Sequence, residues 1–183
     1  MNLLQRTFTS LVNAHAGRTP LPAIEAKLPA RLRLALVLSR NPMSIEIIQA
    51  TEDDRAYLLS LRKLTMVDHL ENAGLYLSED EHQVRLNDAY ECSHIIISLG
   101  EKVGTLKFRE FEDKIEVMQI QIHPDNQGRG FGTEVIKKVL GRSKFKAVEL
   151  TVLKANPAKQ LYERLGFLIT GEDEYEFHME FKH

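Results

Sequence analysis

The chain has 183 residues, of which 43% are hydrophobic and 27% charged, with a formal net charge of −2 and one cysteine. This length and composition are typical of one globular domain with room for a short appendage. A single cysteine excludes an internal disulfide and a cysteine-rich metal site, and no apolar run reaches the roughly 18 residues of a membrane helix. We therefore expect a reduced, cytoplasmic protein that does not enter a membrane.

The charge is unevenly distributed along the chain. Residues 1–42 contain six basic residues and only Glu25 as an acid, which leaves 18 basic and 25 acidic residues for positions 43–183. An acidic body argues against nucleic-acid binding, where clustered basic side chains supply most of the affinity. It is compatible with a cationic acceptor such as an amine.

The first 42 residues also differ in pattern from the rest, because they are basic and interrupted by four prolines. Three interpretations remain open for this extension of unknown role: an Arg-rich leader, a tag or upstream start before Met43, and a packed helical extension. A regular domain pattern begins at Met43, so the predicted domain spans residues 43–183.

Within this domain the pattern predicts alternating strands and helices. Residues 45–49 alternate like a first strand, and capping-box-like signals at Thr51 and Ser78 begin helices that extend to about Val67 and Tyr90. The further predicted elements are strands over 91–99, 105–111 and 115–122, with a turn at 100–104, then a helix over 130–140, a strand over 147–152, a helix over 157–165 and strands over 167–172 and 175–181. The predicted order is β-α-α-β-β-β-α-β-α-β-β, a mixed α/β fold.

The most informative segment is the Gly-rich turn after the strand that ends before Pro124. Glycines at 128, 130 and 132 lead directly into a predicted helix. Glycine permits positive φ and close approach to the backbone, and the first amides of a helix are unpaired at the positive end of its dipole. Together these features predict an anion site, most plausibly for a pyrophosphate.

Spacing decides between the phosphate-binding motifs. A Walker loop needs Lys-Ser or Lys-Thr after its last glycine, whereas Thr133 and Glu134 follow Gly132. A dinucleotide fingerprint needs its third glycine one residue later and places its turn after the first strand. On these residues alone, a tight turn without a ligand remains an alternative.

Two motifs resemble the GNAT superfamily of N-acetyltransferases. Gln127-Gly-Arg-Gly-Phe-Gly132 matches its Gln/Arg-x-x-Gly-x-Gly/Ala signature, Ile120–Pro124 is similar to the preceding strand end, and Leu161-Tyr-Glu-Arg-Leu-Gly-Phe167 is similar to its second motif. The resemblance covers about residues 45–181. It implies that strands four and five splay apart around acetyl-coenzyme A, and that the acetyl group passes to an amine of a small molecule or peptide by direct attack in a ternary complex. The alternative is a non-catalytic module of the same fold that senses acyl-coenzyme A.

The resemblance also implies a cofactor site formed by the end of strand four, the Gly-rich turn, the helix start and an asparagine before the last helix. The corresponding residues are Ile120, Gln121, Ile122, Gln127, Gly128, Arg129, Gly130, Phe131, Gly132, Thr133 and Asn156. In one respect the chain departs from the family: the tyrosine of the second motif follows Asn156 by six positions rather than the common seven.

That tyrosine, Tyr162, matches the residue that donates a proton to the departing sulfur, a role that suits a phenol with a pKa near 10. Its alternative role is packing beside Leu161 and Leu165. Glu116 is the candidate base, expected to share a strand face with Met118 and Ile120, and deprotonation through water is the alternative. We expect a backbone amide of strand four, Ile122 or Gln121, to stabilise the charge on the acetyl oxygen.

The resemblance implies an acceptor pocket built by the first two helices and their connection. The candidate residues are Arg62, His69, Glu71 and Tyr76. Scattered histidines without paired spacing predict no metal site. Dimers are frequent in the family, so a homodimer is compatible with the resemblance.

Overall fold

The computed structural model of the protein describes Pro29 and residues 44–183. The predicted basic extension over residues 1–42 lies outside the described residues, apart from Pro29. From Ser44 onward the described chain follows the predicted element order and confirms the mixed α/β fold. The elements are β1 Ile45–Gln49, α1 Arg55–Asn72, α2 Glu79–Asn87, β2 Ser93–Ser98, β3 Glu101–Glu110, β4 Lys114–Ile122, α3 Phe131–Ser143, β5 Ala147–Leu153, α4 Ala158–Arg164, β6 Leu168–Glu172 and β7 Glu176–Phe181. None of these helices is long and apolar enough to cross a membrane.

Both predicted capping boxes are present. The Ser78 amide donates to Glu81 Oε2 at 2.7 Å, and the Glu81 amide donates to Ser78 Oγ at 3.3 Å. The Thr51 amide donates to Asp54 Oδ2 at 2.8 Å, and a 3₁₀ turn over Glu52–Asp54 leads into α1. This helix continues five residues beyond its predicted end, to the point where Gly74 adopts a φ of +78°. Glycine at that position ends the helix without steric strain.

The predicted turn over 100–104 is too long. The β2–β3 hairpin has only two loop residues, Leu99 and Gly100, both with positive φ as in tight hairpin turns. Gly104 instead lies inside β3, where a Cβ atom would clash with the carbonyl oxygen of Gln121 on β4. This glycine therefore permits close approach of two strands rather than a turn.

The seven strands form one sheet in the order β1-β2-β3-β4-β5-β7-β6. All neighbours are antiparallel except β4 and β5, which pair in parallel only from Lys114–Ala147 to Val117–Leu150. Beyond those pairs the two strands separate, as the resemblance implies. The helices α1 and α2 pack on one sheet face around Leu58, Leu86 and Ile95, whereas α3 contributes to the larger core on the other face.

A β-bulge in β4 changes which side chains share a face. Lys107 pairs with Gln119 and Phe108 pairs with Val117, so Met118 is an extra residue. Ile115 and Val117 before the bulge and Ile120 and Ile122 after it all contact the larger core. Because the bulge inverts the alternation, Glu116 shares a face with Gln119 and Gln121. The expectation that it shares a face with Ile120 is therefore wrong, since Ile120 packs on the larger core.

Candidate functional site

A cavity of about 380 Å³ opens where β4 and β5 separate. Its wall is formed by the end of β4, the end of β5, the Gly-rich turn, the first residues of α3 and α4, and one side of α1. Gln127, Gly132, Asn156 and Tyr162 lie in this wall. The sequence connects these four residues only through the family resemblance, and the structure brings them to the same cavity.

The Gly-rich turn presents free backbone amides. Gly128 and Gly130 have φ values of +69° and +89°, and Gly130 is the N-cap of α3 without any side-chain cap. The first helical hydrogen bond of α3 is from the Glu134 amide to the Gly130 carbonyl, at 3.1 Å. The amides that precede Glu134 in α3 have no helical acceptor, and they lie at the positive end of a 13-residue helix. This arrangement suits an anionic group.

The third glycine has a different role. Gly132 is helical, and a Cβ atom there would lie 3.4 Å from Leu161 Cδ2 of α4. A small residue therefore allows α4, which carries Tyr162, to approach the start of α3. The Phe131 side chain is buried in the larger core and only 6% exposed, so the backbone of this residue is what remains for a ligand.

Side chains fix the turn to β4. Gln127 Nε2 donates to the Ile122 carbonyl at 3.0 Å, and Arg129 Nη1 donates to Asn126 Oδ1 at 2.9 Å. The first bond fixes the turn relative to the strand end. The second holds an exposed guanidinium beside the turn, where it can reach an anionic ligand.

The end of β4 offers an unpaired strand edge to the cavity. The Gln121 carbonyl lies against Gly104 of β3, and the His123 amide donates to the Val103 carbonyl at 2.9 Å. Because successive residues of a strand present their polar backbone atoms to opposite sides, those of Ile120 and Ile122 face the side from which β5 has separated. The amide of Ile122, rather than that of Gln121, is therefore oriented toward the cavity.

The entry to α4 places Asn156 and Tyr162. Asn156 Oδ1 accepts from the amide of Ala158, the first residue of α4, at 2.9 Å, and Asn156 also lines the cavity. Tyr162 is 4% exposed and packs against Phe167, with ring centroids 5.8 Å apart. Burial raises the pKa of Tyr162 to about 12, so the phenol keeps its proton at neutral pH.

Two of the four acceptor candidates line the cavity and two do not. Arg62 and His69 are in the wall, whereas Glu71 and Tyr76 are not, and Tyr76 is 75% exposed. Sequence reasoning missed further wall residues: Thr65, Met66, Arg85, Gln119 and Glu176. A signal existed for two of them, because positions 62, 65, 66 and 69 follow the spacing of one helix face.

Glu116, the candidate base, is not part of the cavity wall. It lies where β4 is still paired on both sides, opposite Arg109 of β3 and Glu149 of β5. Among the residues that the structure describes, the one carboxylate in the wall belongs to Glu176, at the start of β7 beside the end of β5. Within residues 44–183 and at Pro29, no cluster of three or more His, Cys, Asp or Glu residues could hold a metal ion.

Comparison with known proteins agrees with this geometry. The family model described as an acetyltransferase (GNAT) domain matches residues 89–168, which include the Gly-rich turn and Tyr162. No curated protein is significantly similar to the chain in sequence.

Solved structures share the fold at low identity. They include PaiA N-acetyltransferase from Thermoplasma acidophilum in complex with coenzyme A, with a TM-score of 0.60, 18% identity, and coverage of 76% of this chain and 99% of that one. The ribosomal-protein-S18-alanine N-acetyltransferase from Escherichia coli has a TM-score of 0.59 at 16% identity, with coverage of 76% and 94%. Arabidopsis thaliana Naa50, solved with the bisubstrate analogue CoA-Ac-MVNAL, has a TM-score of 0.56 at 17% identity, with coverage of 76% and 99%.

The family model matches the segment that contains both motifs, and the strand order, the β4–β5 separation and the Gly-rich turn agree with it. Residues 89–168 thus match the GNAT acetyltransferase family model, and the described chain has the fold of the solved GNAT acetyltransferases.

Proposed function

We propose that the protein is an N-acetyltransferase that moves the acetyl group of acetyl-coenzyme A to an amine of a small molecule or peptide in a ternary complex. The observation that carries this proposal is the cavity whose wall contains the unpaired edge of β4, Gly132 at the start of α3, and Tyr162. Three of the structural neighbours support it, because their names or ligands include N-acetyl transfer or coenzyme A.

The cofactor site combines two kinds of backbone contact. The amides around Gly128–Thr133 are suited to the pyrophosphate of coenzyme A, since a helix start without a side-chain cap is an anion site. The edge of β4 at Ile120 and Ile122 is suited to the pantetheine arm, which would add to the sheet as a further strand does. Asn156 and Gln127 close the cavity at its sides.

Bound acetyl-coenzyme A supplies an acetyl thioester, and the protein supplies a donor for the sulfur. Tyr162 fits this role because burial keeps its hydroxyl protonated, and a donated hydrogen bond stabilises the negative charge that develops on a leaving thiolate. The Ile122 amide, which faces the cavity, is placed to stabilise the acetyl oxygen. Gln121 is not, because its backbone groups are directed toward β3.

Proton removal from the attacking amine is assigned to water in the cavity. Glu116 stays outside the wall and pairs with neighbours on both sides, so its position does not support a direct role as base. Glu176 is the wall carboxylate through which such water could pass a proton to solvent.

The decisive experiment measures cofactor binding and transfer separately. Tyr162→Phe should lower kcat by tenfold or more while the Kd for acetyl-coenzyme A stays nearly constant, because the lost interaction acts mainly in the transition state. Tyr175→Phe, at an exposed position in the β6–β7 turn, is the matched control and should leave both quantities unchanged.

A thermal-shift measurement completes the test. Acetyl-coenzyme A at 100 times its Kd should stabilise the fold by roughly 2.7 kcal/mol. If NAD but not acetyl-coenzyme A stabilised the protein, the cofactor assignment would be wrong. If acetyl-coenzyme A bound but no amine in a broad panel were acetylated, the protein would act as a cofactor sensor instead.

A further inference from the structure

The cavity wall contains a buried guanidinium that has no carboxylate partner in the part of the chain that the structure describes. Arg62 is 6% exposed, and its hydrogen bond to Gln119 Oε1, from Nη1, is long at 3.4 Å. Its Nε atom is buried and has no acceptor among the described residues. Arginine remains charged in proteins, and a buried charge without a partner is costly. The fold therefore leaves a charged donor unsatisfied at this position.

The surroundings of Arg62 add positive charge. Burial lowers the pKa of Arg62, and Arg85 of α2, which also lines the cavity, lowers it further. Burial likewise lowers the pKa of His82, with Arg62 as the next cause. An anion between Arg62 and Arg85 would relieve this repulsion.

Two lysines show how the protein provides acceptors for other cations in the fold. Lys107 is 5% exposed, but its Nζ donates to the carbonyls of Asp88 at 2.6 Å and Leu86 at 3.3 Å at the end of α2. Lys102 Nζ lies 2.6 Å from Asp54 Oδ1. Both cations have strong acceptors within the fold. Arg62 differs from them because it has no such acceptor among the described residues and lies in the wall of a cavity.

A second buried donor lies in the same wall. Gln119 Nε2 donates to Gln121 Oε1 at 2.9 Å, which leaves Gln121 Nε2 buried and without an acceptor. Arg62, Gln119 and Gln121 thus form a connected row of polar side chains along the α1 side of β4. Two donors of this row have no acceptor within residues 44–183, so a ligand rich in acceptor oxygens suits this side of the cavity.

We propose that the acceptor amine carries a carboxylate, which Arg62 and Arg85 bind while the amine lies toward the end of β4. This inference rests on the proposed function and narrows its substrate class. The amine nitrogen bonds to the acetyl carbon, the carbon–sulfur bond breaks, and the proton lost by the nitrogen balances the one gained by the sulfur. The carboxylate is either the α-carboxylate of a free amino acid or an acidic side chain at a peptide N-terminus. The acidic character of the whole domain by itself favours a cationic acceptor. At this cavity, however, the positive charge of Arg62 and Arg85 favours a carboxylate on the acceptor.

Matched substrate pairs test the proposal. The twenty amino acids are compared with their carboxamides, and N-terminal Asp or Glu peptides with Asn or Gln peptides. Loss of a charge-assisted contact should lower kcat/KM by about 10- to 100-fold for the carboxamide member of the preferred pair. The pair that shows this preference also identifies the source of the carboxylate.

Variants assign the preference to the two arginines. Arg85→Gln changes an exposed residue and Arg62→Lys keeps the charge but not the planar fork, so each should raise KM for the carboxylate substrate by about tenfold. In both variants the ratio of kcat/KM for the carboxylate to kcat/KM for the carboxamide should therefore fall toward one. Arg142→Gln, on the exposed side of α3 away from the cavity, is the matched control and should leave both substrates unaffected.

Two results would overturn the proposal, and only one of them would also reject the acetyltransferase function. Transfer to amines with equal rates for carboxylates and carboxamides would reject the anion site while leaving the acetyltransferase function intact. Absence of transfer to every amine, with acetyl-coenzyme A still stabilising the fold, would reject both.

Discussion

At the residue scale, the environment of Tyr162 determines which chemistry its hydroxyl can perform. The side chain is held between the cavity and Phe167, and burial raises its pKa to about 12. Over the neutral range the phenol is therefore always a donor. Its protonation state should contribute no alkaline limb to the pH profile of transfer below about pH 11.

The same shift predicts an alkaline loss of stability. Below pH 10 the folded and unfolded states both keep the Tyr162 proton. Between pH 10 and 12 the unfolded state ionises while the folded state does not, so the free energy of unfolding falls, by about 1 kcal/mol at pH 11 and about 3 kcal/mol once pH exceeds 12. Urea unfolding of the wild type and Tyr162→Phe at pH 9 and pH 11 measures this difference. Equal losses in the two proteins would contradict it.

Some residues of the cavity wall could be predicted from the sequence, and others could not. Gln127, Gly132 and Tyr162 are part of motifs, and Arg62 and His69 are on one helix face, so each had a local signal. Arg85 and Glu176 had none, because they belong to α2 and β7 and reach the cavity only through the sheet order. Local patterns do not encode which distant elements share a cavity.

At the element scale, β4 positions the site through two departures from regular strand geometry. Gly104 allows β3 to approach the end of β4, and the bulge at Met118 inverts the alternation of side chains. Hydrophobic alternation predicted the strand over 115–122 well. The shift of the apolar positions from Ile115 and Val117 to Ile120 and Ile122 was a signal of the bulge, but the prediction assumed a regular strand. The sequence therefore predicted the element correctly and the face of Glu116 incorrectly.

Gly104→Ala tests the contact between β3 and β4. The added Cβ would clash with the Gln121 carbonyl, a backbone atom that cannot move aside cheaply, so we expect a loss of about 1–3 kcal/mol in unfolding free energy. The displaced end of β4 should also raise the Kd for acetyl-coenzyme A. Chemical denaturation and a binding titration measure the two effects.

Gly141→Ala is the matched control for the same substitution. Gly141 lies in α3, where a Cβ atom would meet no atom within 4 Å. Alanine there should stabilise the protein by up to about 1 kcal/mol, because glycine is a poor helix former. If both variants were equally destabilised, the close approach at Gly104 would not be the cause.

At the scale of the whole molecule, the two halves of the sheet are held together by a short parallel pairing between β4 and β5. The parallel β4–β5 pairing spans only four residue pairs, although β4 has nine residues and β5 has seven. A fully paired sheet would leave no edge and no cavity. The element order implied this separation only through the family resemblance, since neither strand contains a residue that by itself ends pairing at Val117.

A ligand that adds to the free edge of β4 should change hydrogen exchange in an alternating pattern. Because Ile120 and Ile122 direct their backbone groups to the open side, their amides should exchange rapidly in the free protein and slow by at least tenfold when acetyl-coenzyme A binds. The Gln121 amide, which faces β3, and the Val117 amide, which lies in the segment paired with β5, should change little. Residue-resolved hydrogen exchange measured by NMR distinguishes this alternating pattern from a general stabilisation of the fold. If the exchange of all four amides slowed together, the cofactor would not pair with the strand.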